Sequence, residues 1–512
     1  MSTATSYTKL GYLVIKKEAT SGTPLYPDQP IEILSESMVT DWAFTIVDSI
    51  AGNRSNNMRP VLDKVGVATG DFEIIVEPNN VGFFFNGAFG EDVVTTLTAL
   101  TSLQHVWEPL NTLVTYTMDV KMAGEDYVSR YFGCRIEVLS FKIDGNKLVM
   151  TVTVQAQRSF TNARVTLAAA SGTALLLDQT SGLTTSDTIQ VLNDTDPSGT
   201  ALAELTITAV TDENTLAVST IGASLGVNDI VVIKARTTGT TPEDYDMSNE
   251  FIWAGGAEVY IGTGANGIQN LAAKTNVEDM ELTFENGLEP RWAATGRDVV
   301  DRMPATVLLK GFKASGKIKQ FHISPEMIDM LRSNEQTTLR VQFLGSILQA
   351  NSAAAATAVL ESSGAGTVTV TSVTTTDVSN DYAIKVVQGT STLSASLSGK
   401  LLTITLDADT ADNAVATVAA AIDALAEFTA VSASTGNVTT TDNPDKIEFN
   451  NGRDASERQC LRFDLPDVRF RPFNANLTGD GIIEEEIEFD CFRDANDDRE
   501  VKVMLRNNQA SY

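Results

Sequence analysis

The chain has 512 residues and carries 66 acidic against 37 basic side chains, a formal net charge of −29, so the attraction that drives binding to a nucleic-acid backbone is absent or reversed. Its length exceeds what a single core spans, and several domains are expected. Three cysteines (Cys134, Cys460, Cys491) are too few and scattered for a disulfide framework or a zinc site, and MSTATSYTKL has no basic or apolar leader region; with no apolar run long enough to cross a bilayer, the expectation is a soluble chain folded in a reducing compartment.

Residues 1–160 are dense in strand signals: Gly11 to Ile15, Met38 to Ile46, Asp71 to Val76, Thr112 to Val120, Arg135 to Ile143 and Leu148 to Gln155. Leu148, Met150, Val152 and Val154 share one face of a strand and Val149, Thr151, Thr153 and Gln155 the other. Asp144-Gly145-Asn146 predicts a tight hairpin, and Pro78 starts a short helix reaching Phe85. From 161 to 237 aromatic residues vanish and Thr, Ala, Ser and Asp dominate, with short strands between Asp/Asn/Gly turns; a small all-β domain is predicted there. Residues 238–249 read as a linker.

A second copy of the first unit starts near Glu250. AGNRSNNMRP and TGRDVVDRMP hold Gly52 and Pro60, and Gly296 and Pro304, at the same interval; each copy then reaches a glycine (Gly70, Gly316), a strand and a proline (Pro78, Pro325). Gly256 to Ile261 matches the strand at Gly11. The second copy covers 250–349 and 458–512. It is interrupted at 350–457 by an insertion read as ββαβ, with strands at Tyr382 to Val387 and Leu401 to Leu406 and a helix capped by Thr410 that presents Val415, Val418, Ile422 and Leu425 on one face. It resumes at Cys460-Leu-Arg-Phe, matched to Cys134-Arg-Ile, and closes with Gly481 to Cys491, matched to Lys147 to Ala156. The fold class is therefore mainly β: two copies of a sheet-rich domain with one short helix, and two small β-rich additions, one of them ββαβ-like.

Catalytic material is sparse. His105 and His322 are the only histidines, and His322 falls within a strand. Gly262-Thr-Gly264-Ala-Asn-Gly267 has dinucleotide-loop spacing but no following βαβ unit, and Asp194 to Gly199 and Asp494 to Asp498 start like calcium loops without completing one. No catalytic, cofactor-binding or metal-binding residue is nominated, and no enzyme activity. The strand after Gly481 places Glu484, Glu486, Glu488 and Asp490 on one face, opposite Ile483, Ile487, Phe489 and Cys491 with Glu485. That face is either a hydrated outer surface or the wall of a channel that another polyanion slides past.

The order of features resembles the tail tube proteins of long-tailed bacteriophages. It runs from the GYLVIKKE strand through the extended TPLYPDQPIEI loop, the Gly52 loop, GDFEIIVEP, the short helix and the FGCRIEVLSFKIDG hairpin. The resemblance implies sandwiches whose inner sheets join into a barrel, rings stacked into a tube, and acidic carboxylates facing the lumen, for which Glu484, Glu486, Glu488 and Asp490 are candidates. It implies the virion tail as location after assembly in the host cytoplasm, self-association and other tail proteins as partners, and genomic DNA passing without specific binding. Two domains per chain imply trimeric, pseudo-hexameric rings, and outward-projecting additions imply a tail without a contractile sheath. Gly52, Arg54, Pro60, Gly296, Arg297 and Pro304, with the Ser21 to Pro30 loop, are candidates for contacts between rings or subunits. The alternative is another structural or adhesive tail component in which the two β-rich additions do the binding.

Overall fold

The computed structural model describes residues 11–512 except 41–43, 49–57, 63–66, 99–101, 123–125, 146, 170, 198–199, 237–256, 264–270, 276, 292–303, 305, 322–328, 331–335, 351–353, 376–379, 444–445, 450–455, 472–474, 478–482 and 495–498. The fold is mainly β. The first copy contributes β1 (Tyr12–Lys17), β2 (Ala68–Ile75), α1 (Val81–Phe89), β3 (Ser102–Trp107), β4 (Tyr116–Lys121), β5 (Tyr127–Asp144) and β6 (Lys147–Ala156). The second contributes β7 (Ala257–Thr263), β8 (Val277–Arg291), β9 (Thr306–Phe321), β10 (Thr337–Ala350), β11 (Ser456–Phe470), β12 (Ile483–Phe492) and β13 (Lys502–Asn507), with α2 (Val415–Asp423) between β10 and β11.

Strand registers make the two copies correspond residue by residue. In the first, Val152 and Val154 of β6 lie opposite Phe72 and Gly70; in the second, Ile487 and Phe489 of β12 lie opposite Ile318 and Gly316. Val154 faces Ile136 of β5, and Phe489 faces Phe470 of β11. Cys134, opposite Tyr116, therefore stands where the second copy has Val468, opposite Thr337. The expected match of Cys134 to Cys460 is wrong. A short Cys-x-x string carries less information than a ladder of cross-strand neighbours.

The helix VGFFFNGAF has no polar face, and all nine of its residues are buried, as a helix inside a sandwich must be. It ends at Gly90, whose φ of 103° suits a residue without Cβ. Its rings gather those of both copies: Phe85 stacks on Phe141 at 5.7 Å, Phe89 meets Phe284 edge-on at 5.2 Å, and Phe141 lies 5.1 Å from Phe463. The result is one apolar core running through both copies. The predicted hairpin closes with Asp144 opposite Lys147 and Gly145 at φ 63°.

The two additions are attached differently. Between Ala163 and Ala235 six strands form a small β unit whose core is continuous with Tyr12, Val14, Val128, Phe132 and Phe160 of the first copy, and its last strand, Ile230–Lys234, pairs with the start of β5. The insertion instead has a core drawn, among the described residues, wholly from positions 356–449. It holds more than the expected ββαβ: a three-stranded sheet (Thr357–Glu361, Thr367–Ser372, Phe428–Ala433) and a four-stranded one that includes parallel pairing of Ala383–Gln388 with Leu401–Leu406. α2 buries Val415, Val418 and Ile422 as the periodicity requires. Thr410 does not cap it: a 3-10 turn at Thr410–Asn413 precedes the helix, and the Asp409 carboxylate accepts from Ala411 N at 3.0 Å.

Candidate assembly edges and the polar sheet face

The two copies are joined side by side through backbone pairing. β5 runs antiparallel to β8, with Leu139 opposite Phe284 and Phe141 opposite Leu282, all four buried in the common core. On the other face of this seam Ser140 and Thr283 hydroxyls meet at 3.1 Å. The buried Asn286 amide closes it by donating to the carbonyls of Ala88 (3.0 Å) and Ile136 (3.1 Å). A second seam forms in the opposite sheet, where β13 pairs with β11 on one side and β3 on the other.

The continuous sheet therefore reads the edge made by the short strands Ser35–Glu36 and Val39–Thr40, then β2, β6, β5, β8, β9, β12, then the β11 end with Ala475–Leu477. Ser35–Thr40 lies against β2 as β8 lies against β9, and Ala475–Leu477 lies against β12 as the end of β5 lies against β6. The sheet thus ends on the same two strands that pair internally at the β5–β8 seam. Among the described residues both terminal strands pair on one side only. Leu34 and Val39 are 49% and 59% exposed along the first of these edges, an open edge of the kind that soluble proteins leave only when something covers it.

The predicted alternation in β12 is present: Glu485, Ile487, Phe489 and Cys491 are buried while Glu486 and Glu488 are exposed. Glu484 has only its backbone among the described features, opposite Phe321 and Asn476. The acidic face is not an unshielded row of like charges. Lys317 lies opposite Glu488 and bridges Glu486, Lys319 lies opposite Glu486, and Arg471 reaches Glu488 (3.2 Å) and Asp490 (2.7 Å). Hydrogen bonding from Arg471 lowers the Asp490 carboxyl below its ordinary range. The strand pattern of β12 alone could not reveal this, because the lysines come from β9 at a register only the fold sets. Buried Glu485 points inward and accepts from Gln320 Nε2 at 2.9 Å.

Gly52, Arg54, Gly296 and Arg297 lie outside the described residues. The described residues on either side of them belong to paired strands. Pro60 sits in Met58–Leu62, paired with Phe44–Asp48, and buried Pro304 lies just before the end of the β8–β9 pair at Arg291 and Thr306. The Ser21 to Pro30 loop is pinned flat: Glu18 accepts from Gly22 N (2.8 Å), Gly133 N (2.8 Å), Thr115 Oγ1 (2.8 Å) and Thr117 Oγ1 (2.9 Å), Leu25 N donates to Thr117 Oγ1 (3.0 Å), and the Arg236 guanidinium lies over Tyr26 at 4.1 Å.

His105 is fully buried, with Nδ1 2.5 Å from Asp92 and Nε2 2.9 Å from the Gln509 carbonyl; it ties down the C-terminal tail beside Trp107 and Tyr512. His322, Gly264 to Gly267 and Asn496 to Asp498 lie outside the described residues, whereas Asp194 to Asp196 form a local turn closed by Asn193. Cys134 and Cys491 are buried free thiols, held protonated by burial. Among the described residues no group of His, Cys, Asp and Glu is placed to hold a metal ion, and no helix is long and apolar enough to cross a membrane. Compared with known proteins, residues 8–241 match the model of a family described as phage tail tube protein. The match runs through the first copy and the small β unit that follows it. No curated protein matches the chain significantly.

Proposed function

We propose, from the match of residues 8–241 to the phage tail tube protein family, that the chain polymerises as trimeric, pseudo-hexameric rings stacked into a non-contractile tail tube that conducts DNA. The observation that carries this reading is the sheet with one seam already closed inside the chain and the same two strands left open at its ends. A strand like Ala475–Leu477 of one chain meets Ser35–Thr40 of the next as β5 meets β8. Each chain then supplies two wedges, and a closed barrel abolishes the edges that would otherwise aggregate.

The tube's bore is, on this reading, the face carrying Glu486, Glu488, Asp490, Thr151 and Thr153. Acids interleaved with lysines leave that wall well hydrated and poor at the counterion-release binding that would hold DNA. It acts as a passive conduit, with no reaction assigned. Negative-stain electron microscopy of the purified chain tests the proposal. Stacked rings with threefold averaged top views are expected, and a protein that stays monomeric under all conditions, or rings of six chains, contradicts it.

A further inference from the structure

The strand registers place one buried cross-strand ion pair at the same position in both copies. In the first, Asp119 of β4 faces Arg130 of β5; in the second, Arg340 of β10 faces Asp464 of β11. The flanking pair agrees, Met118 with Tyr131 against Leu339 with Leu465 in the core. On the neighbouring strand, Val14 of β1 and Tyr260 of β7 occupy the same register position. The charges have changed places between the copies while the pair has remained.

In each copy the arginine of this pair reaches out of the sandwich to an aspartate of an added unit. Arg130 binds Asp119 (2.6 and 2.8 Å) and donates to Asp187 of the first unit at 2.6 and 2.9 Å. Arg340 binds Asp464 at 2.6 Å and donates to Asp381 of the insertion at 2.7 and 2.9 Å. Both groups are buried, the Arg130 and Asp187 side chains completely. A planar guanidinium can serve two carboxylates at once because its five donors form a fork, which lysine lacks.

We infer that the outer sheet of each copy carries a docking socket for a carboxylate on the added unit, made from a cross-strand Arg–Asp pair at one register position and reversed in polarity between the copies. The partner each socket fits is an aspartate presented by a compact β unit of the same chain. For the first unit the socket supplements a shared apolar core. For the insertion it is the main hold, since that unit's core is its own. Asp381 there also accepts from Lys400 (2.9 Å) and Arg462 (3.3 Å), and Glu448 binds Arg499 (2.7 Å) and Lys502 (2.8 Å). The insertion is thus an electrostatically latched body. It emerges from the β10–β11 ribbon at Ala350 and Ser456, where the first copy has only the short connection from β4 to β5.

Limited proteolysis of the full-length chain, with fragments identified by mass spectrometry, tests the socket whether or not rings form. Asp381→Arg puts like charges together and should accelerate cleavage at the two joints near 350–356 and 449–456, while the rest of the fragment pattern stays as in the parent. The docked-to-undocked ratio should fall by roughly a hundredfold to a few thousandfold, the scale on which removing one partner of a buried ion pair acts. Asp381→Glu keeps the carboxylate and should retain most of the protection. Unchanged cleavage in D381R, or a loss of protection in Asp381→Glu as large as in D381R, overturns the inference. Should D381R fail to fold, Asp381→Asn keeps the side-chain volume and must show the same joint-confined increase; an unchanged pattern there overturns it equally.

Discussion

Gly70 and Gly316 show at single-residue scale why both copies keep a glycine at this point. A Cβ at Gly70 would lie 2.6 Å from Met38 N, and one at Gly316 would lie 2.5 Å from the Glu281 carbonyl oxygen. At Gly70 the obstacle is the backbone of Ser37 and Met38, and at Gly316 it is the β8 backbone together with the Phe489 ring, so neither site opens by the swing of one flexible side chain. Gly316→Ala should therefore lower the thermal midpoint, with a cost of about 1–3 kcal/mol as for other overpacked sites; an unchanged melt would show that β8 can move. The latch residues give a second residue-scale expectation. Burial raises the Asp464 carboxyl, but Arg340 and Arg462 outweigh it and hold it at about 2. Glu448 is likewise held at about 2, with Lys502 and Arg499 outweighing burial, and Asp381, facing Arg340, Arg462 and Lys400, lies below the usual carboxylate range. Groups whose folded values lie below their unfolded values near about 4 stabilise fully above that pH and lose the contribution as pH falls toward about 2. Hydrogen exchange in 356–449 should thus begin to rise below about pH 4, ahead of exchange in α1.

At the scale of elements, the difference between the two additions predicts unlike outcomes of deletion. Removing the insertion between Ala350 and Ser456 and closing the ribbon with a short turn takes away no part of the common core. The remaining chain should express and melt cooperatively, measurable by circular dichroism. Removing 161–237 uncovers Tyr12, Val14, Val128, Phe132 and Phe160, each worth about 1.5–3 kcal/mol of burial, and strips a paired strand from β5. That variant should aggregate or fail to fold. Equal behaviour of the two deletions would contradict the distinction between a fused unit and a latched one.

For the whole molecule, the decisive feature is that one core and one sheet run through both halves of the chain while, among the described residues, both end strands of that sheet pair on one side only. Val39→Lys puts a charge on an edge residue that is 59% exposed. It should leave the melting temperature within a degree or two of the parent, since such surface changes usually stay within about 0.5 kcal/mol. Ring assembly, followed by sedimentation and electron microscopy, should be abolished. Rings that form normally from V39K would remove Ser35–Thr40 from the subunit interface.

The mainly β character, a short helix after Pro78 though not its bounds at Val81 and Phe89, the hairpin at Gly145 and the alternation of β12 were legible in the sequence, because each follows from the spacing of residues along one segment. The family resemblance was legible for the same reason, since it rests on the order of such segments. The partner of each strand was not. That Cys134 corresponds to Val468, that the β12 acids face lysines of β9, and that Asp119–Arg130 reappears reversed as Arg340–Asp464 all depend on register between segments far apart in the chain. Register is decided by which apolar faces close the common core together, and a side chain's electrostatic partners are set only once that closure has occurred.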